Sequence, residues 1–235
     1  MLGLWGNAIR NYSGIKKLTK LEALYIGAND LKKLPPELKK LPHLKCLDVS
    51  GSWSLKDYAL LEGLALEELL LSNTYEAGPI PDFIFEMKSL RKLSLLLNGK
   101  DPLTSLSKVA QLENLEHLAV NRTPLEAMPA AVGQLKKLRT LTLDDHPQLT
   151  DLSALSDLPC LEELSLTRCK TLTALPAGLT TCKALKKLDL TYTTALADIS
   201  SLRDLPALEE LVIVAKLDEI PEGTLGSLTG LERLK

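Results

Sequence analysis

Leucine recurs along this chain in a fixed cadence. In the stretch LRTLTLDDHPQLTDLSALSDLPCL, leucines stand at Leu138, Leu141 and Leu143, and after a polar turn Leu149, Leu152, Leu155 and Leu158 recur every third residue. At Leu161 the phrase begins again as LEELSL. Alternation with period two marks an extended segment with one buried side, and the later spacing marks a compact helical or 3-10 return.

Phrases of this form open at Leu21, Leu44, Leu66, Leu90, Leu115, Leu138, Leu161, Leu185 and Leu208, in steps of 22 to 25 residues. Residues 1–20 fit the same frame entered partway, and Leu231 and Leu234 open one further phrase. Self-similarity at this period is the signature of a solenoid. One strand cannot bury its leucines alone, so neighbouring strands must stack into a parallel sheet at about 4.8 Å per repeat. The expected fold is α/β: a curved, right-handed arc of about ten β/α or β/3-10 repeats, a parallel sheet on its concave side. No linker, low-complexity run or charge block divides the chain, so residues 1–235 are expected to form one domain with partial repeats at both ends.

The ninth position of each unit reads Asn7, Asn29, Ser52, Thr74, Asn98, Thr123, His146, Cys169, Thr193 and Lys216. Asn, Ser and Thr can pair there with backbone groups that would otherwise be buried unpaired, at a cost of about 1 to 3 kcal/mol each. His146 and Lys216 break the column and are expected where the turn opens to solvent. The return segments alternate between a form with proline, such as LKKLPPELKKL, and a spaced-leucine form, such as LTDLSALSDL, so the underlying unit is a pair of coils. The residue after each opening leucine also alternates in sign: Glu22, Lys45, Glu67, Arg91, Glu116, Arg139, Glu162, Lys186 and Glu209. These side chains can form a lateral ladder that sets register, or simply a solvated edge.

With 28 basic and 30 acidic residues the net charge is −2, so bulk electrostatics point to neither nucleic acid nor a membrane surface as a partner. The start lacks the pattern of a signal peptide, and the apolar runs are too short to span a bilayer. Cys46, Cys160, Cys169 and Cys182 stand singly, without the spacing of a zinc site or of clustered disulfides. A reducing, cytoplasmic location is expected, or secretion as an effector without a cleavable signal. The run Asp144-Asp145-His146 is the one constellation that metal or acid–base chemistry could use, and its residues point in different directions around a strand end. Phosphate-loop, nucleophile-elbow and HExxH motifs are absent. No enzymatic activity, cofactor or metal is expected.

With the repeats laid out, the chain resembles the leucine-rich repeat superfamily, through LEELSLTRCKTLTALPAGLTTC and its companions over nearly the whole length. Its mixture of returns resembles bacterial cytoplasmic or secreted-effector repeat proteins and plant intracellular ones. The resemblance implies an interaction module that binds a protein on its concave face, as an adaptor, inhibitor or immunity-type protein. It also implies an alternative, the substrate-recognition part of a larger bacterial effector such as a ubiquitin ligase.

Outward strand positions are free of core duty and carry the information about a ligand. Leu70, Leu96 and Leu97 fall on adjacent strands, with Tyr25, Trp53 and Tyr75 near by, in a chain that is only 4% aromatic. Aromatic anchors within a polar rim are how interface hot spots are built. Trp53 and Tyr75 could instead cover the turn edge, and Leu97 could enter the core. A second, polar candidate runs across Arg122, Asp144, Asp145, Arg168, Asp189 and Tyr192, whose charges steer a partner or satisfy one another. The C-terminal repeat, with Val212, Val214, Leu228 and Leu231, reads as uncapped, which makes an end-to-end homodimer a possible assembly.

Overall fold

The computed structural model describes residues 1–74, 80–96, 106–215 and 223–235, with Leu96 placed by its backbone. Eleven strands form one sheet in chain order: β1 (Leu2–Gly3), β2 (Ala23–Tyr25), β3 (Cys46–Asp48), β4 (Glu68–Leu71), β5 (Lys92–Leu96), β6 (His117–Asn121), β7 (Thr140–Thr142), β8 (Glu163–Ser165), β9 (Lys187–Thr191), β10 (Glu210–Val214) and β11 (Arg233–Leu234). Every pairing is parallel and keeps one register. Leu24, Leu47, Leu69, Leu93, Leu118, Leu141, Leu164, Leu188 and Leu211 sit side by side along it. That row and the next, from Ile26 to Leu190, are buried throughout. A one-residue slip would turn both rows outward, so burial fixes the register.

The outer returns are mostly 3-10 turns, at Ser13–Lys17, Pro36–Lys40, Ala59–Leu61, Val109–Gln111, Ala130–Gln134, Ala177–Thr181 and Ser200–Asp204, and Asp82–Phe85 makes an α-helical turn, α1. Both kinds of return make 3-10 turns. What proline adds is the entry: Pro35, Pro81, Pro129 and Pro176 each stand just before a turn with extended ψ, between 126° and 149°. Buried leucines from each turn, such as Leu38 and Leu179, meet the strand rows in one continuous core.

The expected pairing of coils has a physical form. Ala127 bridges to Asp151 and Ala174 to Asp198, each joining a proline-bearing return to the spaced-leucine return that follows. The backbone N–H groups of Thr150 and Asp151 both donate to Glu126, and those of Ala197 and Asp198 both donate to Thr173.

Asn7 is exposed at the start of the ninth column, but its other described members, from Asn29 to Thr193, are buried, and they correct one expectation. Asn29 donates through Nδ2 to the carbonyls of Leu4, Ile26 and Gly27 at 2.7, 3.0 and 3.1 Å, while its Oδ1 accepts from the N–H of Ile9. Thr74 and Thr193 donate to Leu71 and Leu190, and the Cys169 thiol to Leu143. His146, expected where the turn opens to solvent, is instead wholly buried. Its two ring nitrogens lie 2.7 Å from the carbonyl oxygens of Thr123 and Val120. An imidazole is flat and has a nitrogen at either side, so it reaches both carbonyls, and each N–H it carries donates to one of them. Lys216, the other departure, lies outside the described residues.

Candidate functional site

The outward residues of the strands form a wall whose two halves differ. At the N-terminal end, Trp53 follows β3 and is 64% exposed, and Trp5 follows β1 and is 60% exposed. Tyr25, on β2 between them in strand order, and Leu70, on β4 just beyond, are half-buried. The Cys46 thiol donates to the Tyr25 hydroxyl at 3.6 Å, and also approaches Glu68 at 3.7 Å. The hydrogen bond with Cys46 and the charge around it push the Tyr25 pKa up to about 12, so that ring presents a neutral O–H at physiological pH.

Trp53 therefore does not fold down over the turn edge. Trp5 was not among the residues singled out from the sequence, although it occupies the seventh, outward column. Its neighbour in that column is Gly27, and the indole lies where a side chain on residue 27 would have stood. An outward tryptophan beside an outward glycine in the next repeat is the signal that identifies it. Leu96 ends β5, opposite Asn121. Tyr75 and Leu97 lie outside the described residues.

The polar candidate is largely committed within itself. Arg122 and Asp145 form an ion pair at 3.1 Å. Asp144 accepts from the Ser165 hydroxyl at 2.6 Å and the Thr167 N–H at 3.0 Å, and its own N–H donates to Asn121. Asp189 accepts from the N–H and hydroxyl of Thr191. The Arg168 guanidinium stands 5.9 Å from the centre of the Tyr192 ring, within cation–π range. Arg122, Asp144, Asp145 and Arg168 share one concavity of about 320 Å³ with Asn73 and Thr167. Asp189 and Tyr192 lie further along the wall.

These side chains are presented by an unusual backbone. Asn73, Arg122, Asp145, Arg168 and Tyr192 occupy the eighth position of their units, each with φ between 54° and 64°. The left-handed region costs an ordinary residue about 1 kcal/mol or more. The strain persists because the next residue must reach inward to the buried ninth column, and only this twist reverses the chain so sharply.

Along the opposite margin, six of the alternating charges pair in twos across neighbouring strands. Lys45 meets Glu67 at 2.9 Å, Arg91 meets Glu116 at 2.8 Å, and Arg139 meets Glu162. At the C-terminal end Glu210 receives Arg233 at 3.1 Å and Lys235 at 3.2 Å, with Lys187 at 3.9 Å. Among the described residues no group of three or more His, Cys, Asp or Glu side chains is placed to hold a metal ion. No helix among them is long and apolar enough to cross a membrane.

No protein-family model matches the chain. Solved structures similar to it include an internalin (inlF) from Listeria monocytogenes, with a TM-score of 0.72 and 23% identity over 99% of this chain and 72% of that one. The leucine-rich repeat domain of the type III effector XopL is also similar, at a TM-score of 0.70 and 24% identity over 91% of this chain and 75% of that one. In sequence, TMV resistance protein N of Nicotiana glutinosa is 29% identical over 171 residues, which are 68% of this chain and 14% of that protein. Disease resistance protein RPS5 of Arabidopsis thaliana is 28% identical over 170 residues, 70% of this chain and 16% of that protein. The chain thus spans a small fraction of the plant proteins it matches. It is a leucine-rich repeat solenoid, with bacterial repeat proteins as neighbours in fold and plant disease resistance proteins as distant relatives in sequence.

Proposed function

We propose that this solenoid is a protein-interaction module that holds a protein ligand on its strand wall, in an adaptor, inhibitor or immunity-type role, and that the N-terminal half of the wall supplies the anchors. Leucine-rich repeat folds generally mediate protein–protein interaction. The observation that carries the finer reading is the exposure of Trp5 and Trp53 beside half-buried Tyr25 and Leu70. Large exposed rings in a chain poor in aromatics are the usual energetic centres of an interface, each worth about 2 kcal/mol or more when truncated. The polar residues from Arg122 to Tyr192, already satisfied by one another, fit a rim that sets orientation.

A second reading is favoured by the length of the plant relatives: the chain would be the recognition unit of a larger protein, its ligand delivered to a neighbouring domain. Four free cysteines, three of them buried, fit a cytoplasmic setting.

The test is comparative capture from a native lysate with the wild-type chain and a Trp5→Ala, Trp53→Ala, Leu70→Asp variant. Partners retained by the wild type and lost by the variant, with an unchanged melting temperature, support the wall as the interface. Equal recovery by both removes it.

A further inference from the structure

The near-neutral total charge conceals a partition. Residues 1–45 hold nine lysines and arginines against three carboxylates, a surplus of six positive charges in a chain whose net charge is −2. The rest of the solenoid is therefore acidic, and the field at its N-terminal end is that of a compact cation.

Within this basic end the return segments of the first two coils line an open cleft of about 580 Å³, away from the strand wall. That size falls in the range of small-molecule sites. Arg10, Lys32 and Lys33 line it and are exposed, and none is in an ion pair among the described residues. Tyr12 also lines it. That residue is only 6% exposed, and its hydroxyl is buried with no hydrogen-bond partner among the described residues. A buried hydroxyl is costly unless something accepts from it. Burial also raises the Tyr12 pKa, so the group stays an O–H donor at neutral pH.

Two carboxylates, Asp30 and Glu37, share the lining. They leave a positive balance, and they disfavour a long acidic chain more than a compact anion that can sit among the three cations. We propose that this cleft binds a phosphate-bearing small ligand. Arg10 would engage two phosphate oxygens through its planar fork, Lys32 and Lys33 would supply point charges, and the Tyr12 hydroxyl would donate from the buried side. The phosphate could come from a soluble ester or from a lipid headgroup, and the chemistry is shared. This site is independent of the wall proposed above to hold a protein.

The full chain titrated calorimetrically with sodium pyrophosphate should bind one equivalent saturably. An Arg10→Gln, Lys33→Gln variant and Tyr12→Phe should each weaken binding about tenfold with melting temperature retained, while Lys16→Gln with Lys17→Gln, outside the cleft, should leave it unchanged. Vesicles of phosphatidylcholine carrying phosphatidylinositol 4-phosphate separate the sources. Vesicle binding displaced by pyrophosphate assigns the headgroup to the cleft, and pyrophosphate binding without vesicle binding assigns a soluble ester. Three outcomes overturn the proposal: no saturable binding up to about 10 mM, equal weakening by the Lys16 and Lys17 changes, or vesicle binding that neither pyrophosphate nor the Arg10 and Lys33 changes affect. None of these depends on partner capture by the wall.

Discussion

The indole of Trp5 occupies the space above Gly27. A Cβ built on residue 27 would come within 2.7 Å of both Cδ1 and Nε1 of that indole, and within 2.3 Å of the carbonyl oxygen of Ser50. The indole could swing aside, but the Ser50 backbone is part of the turn that follows β3 and cannot. Gly27→Ala should therefore cost about 1 to 3 kcal/mol, read as a fall in melting temperature. It should also change the tryptophan fluorescence maximum as Trp5 is displaced. An unchanged spectrum and stability would mean that the two coils do not approach this closely.

His146 tests the buried column. His146→Asn restores the amide that Asn29 uses and should keep stability within about 1 kcal/mol of the wild type. His146→Leu fills similar space yet removes the ring donor that faces the carbonyls of Val120 and Thr123, and a buried carbonyl left without a donor costs about 1 to 3 kcal/mol. Urea denaturation of the two variants should place the Leu midpoint well below the Asn midpoint.

The fastening of β11 depends on pH through Glu210. Its hydrogen bond with Lys235, reinforced by the charges of Arg233 and Lys187, holds the Glu210 carboxyl below its ordinary value of 4.5. A lowered folded-state pKa means that this contribution is complete above the ordinary value and is lost as pH falls through the folded one. Amide exchange at Leu211, Ile213 and Lys235, measured against the intrinsic rate, should lose protection at pH 3 relative to pH 6. In Glu210→Gln that pH difference should shrink.

The lateral charge pairs predict a sign rather than a large energy. Arg139→Glu would place three carboxylates in line with Glu116 and Glu162, where exposed pairs of opposite charge are worth about 0 to 1 kcal/mol. A destabilisation of about 1 kcal/mol that shrinks in 1 M salt is expected, because the Debye length there is only about 3 Å. Loss of stability insensitive to salt would assign Arg139 a packing role instead.

Much of this molecule was legible in its leucines. Leu24, Leu47 and Leu69 fall at equal intervals and can be hidden only by stacking, so sheet, register and repeat followed from spacing alone. His146 was misread because its chemistry was judged by residue type. Whether an imidazole at that point faces solvent depends on which carbonyls the neighbouring coil sends toward it, and those lie on Thr123 and Val120, more than twenty residues away. Trp5 was passed over for the same reason. Its prominence depends on Gly27 in the next coil, which leaves room for the ring.

The sequence by itself determined the parallel stack, the buried rows and the paired returns, because each is a periodic consequence of burying apolar side chains and pairing neighbouring strands. Only the tertiary structure decided which outward residues are spent on one another and which remain exposed. Asp144 and Asp189 are satisfied by hydroxyls and backbone, while Trp5 and Trp53 stand out from the wall. Only folding, too, brought Arg10, Lys32, Lys33 and Tyr12 to the lining of one cleft. Such contacts join residues a full coil apart, and their geometry is fixed by the twist and turn of the backbone, which a periodic pattern does not encode.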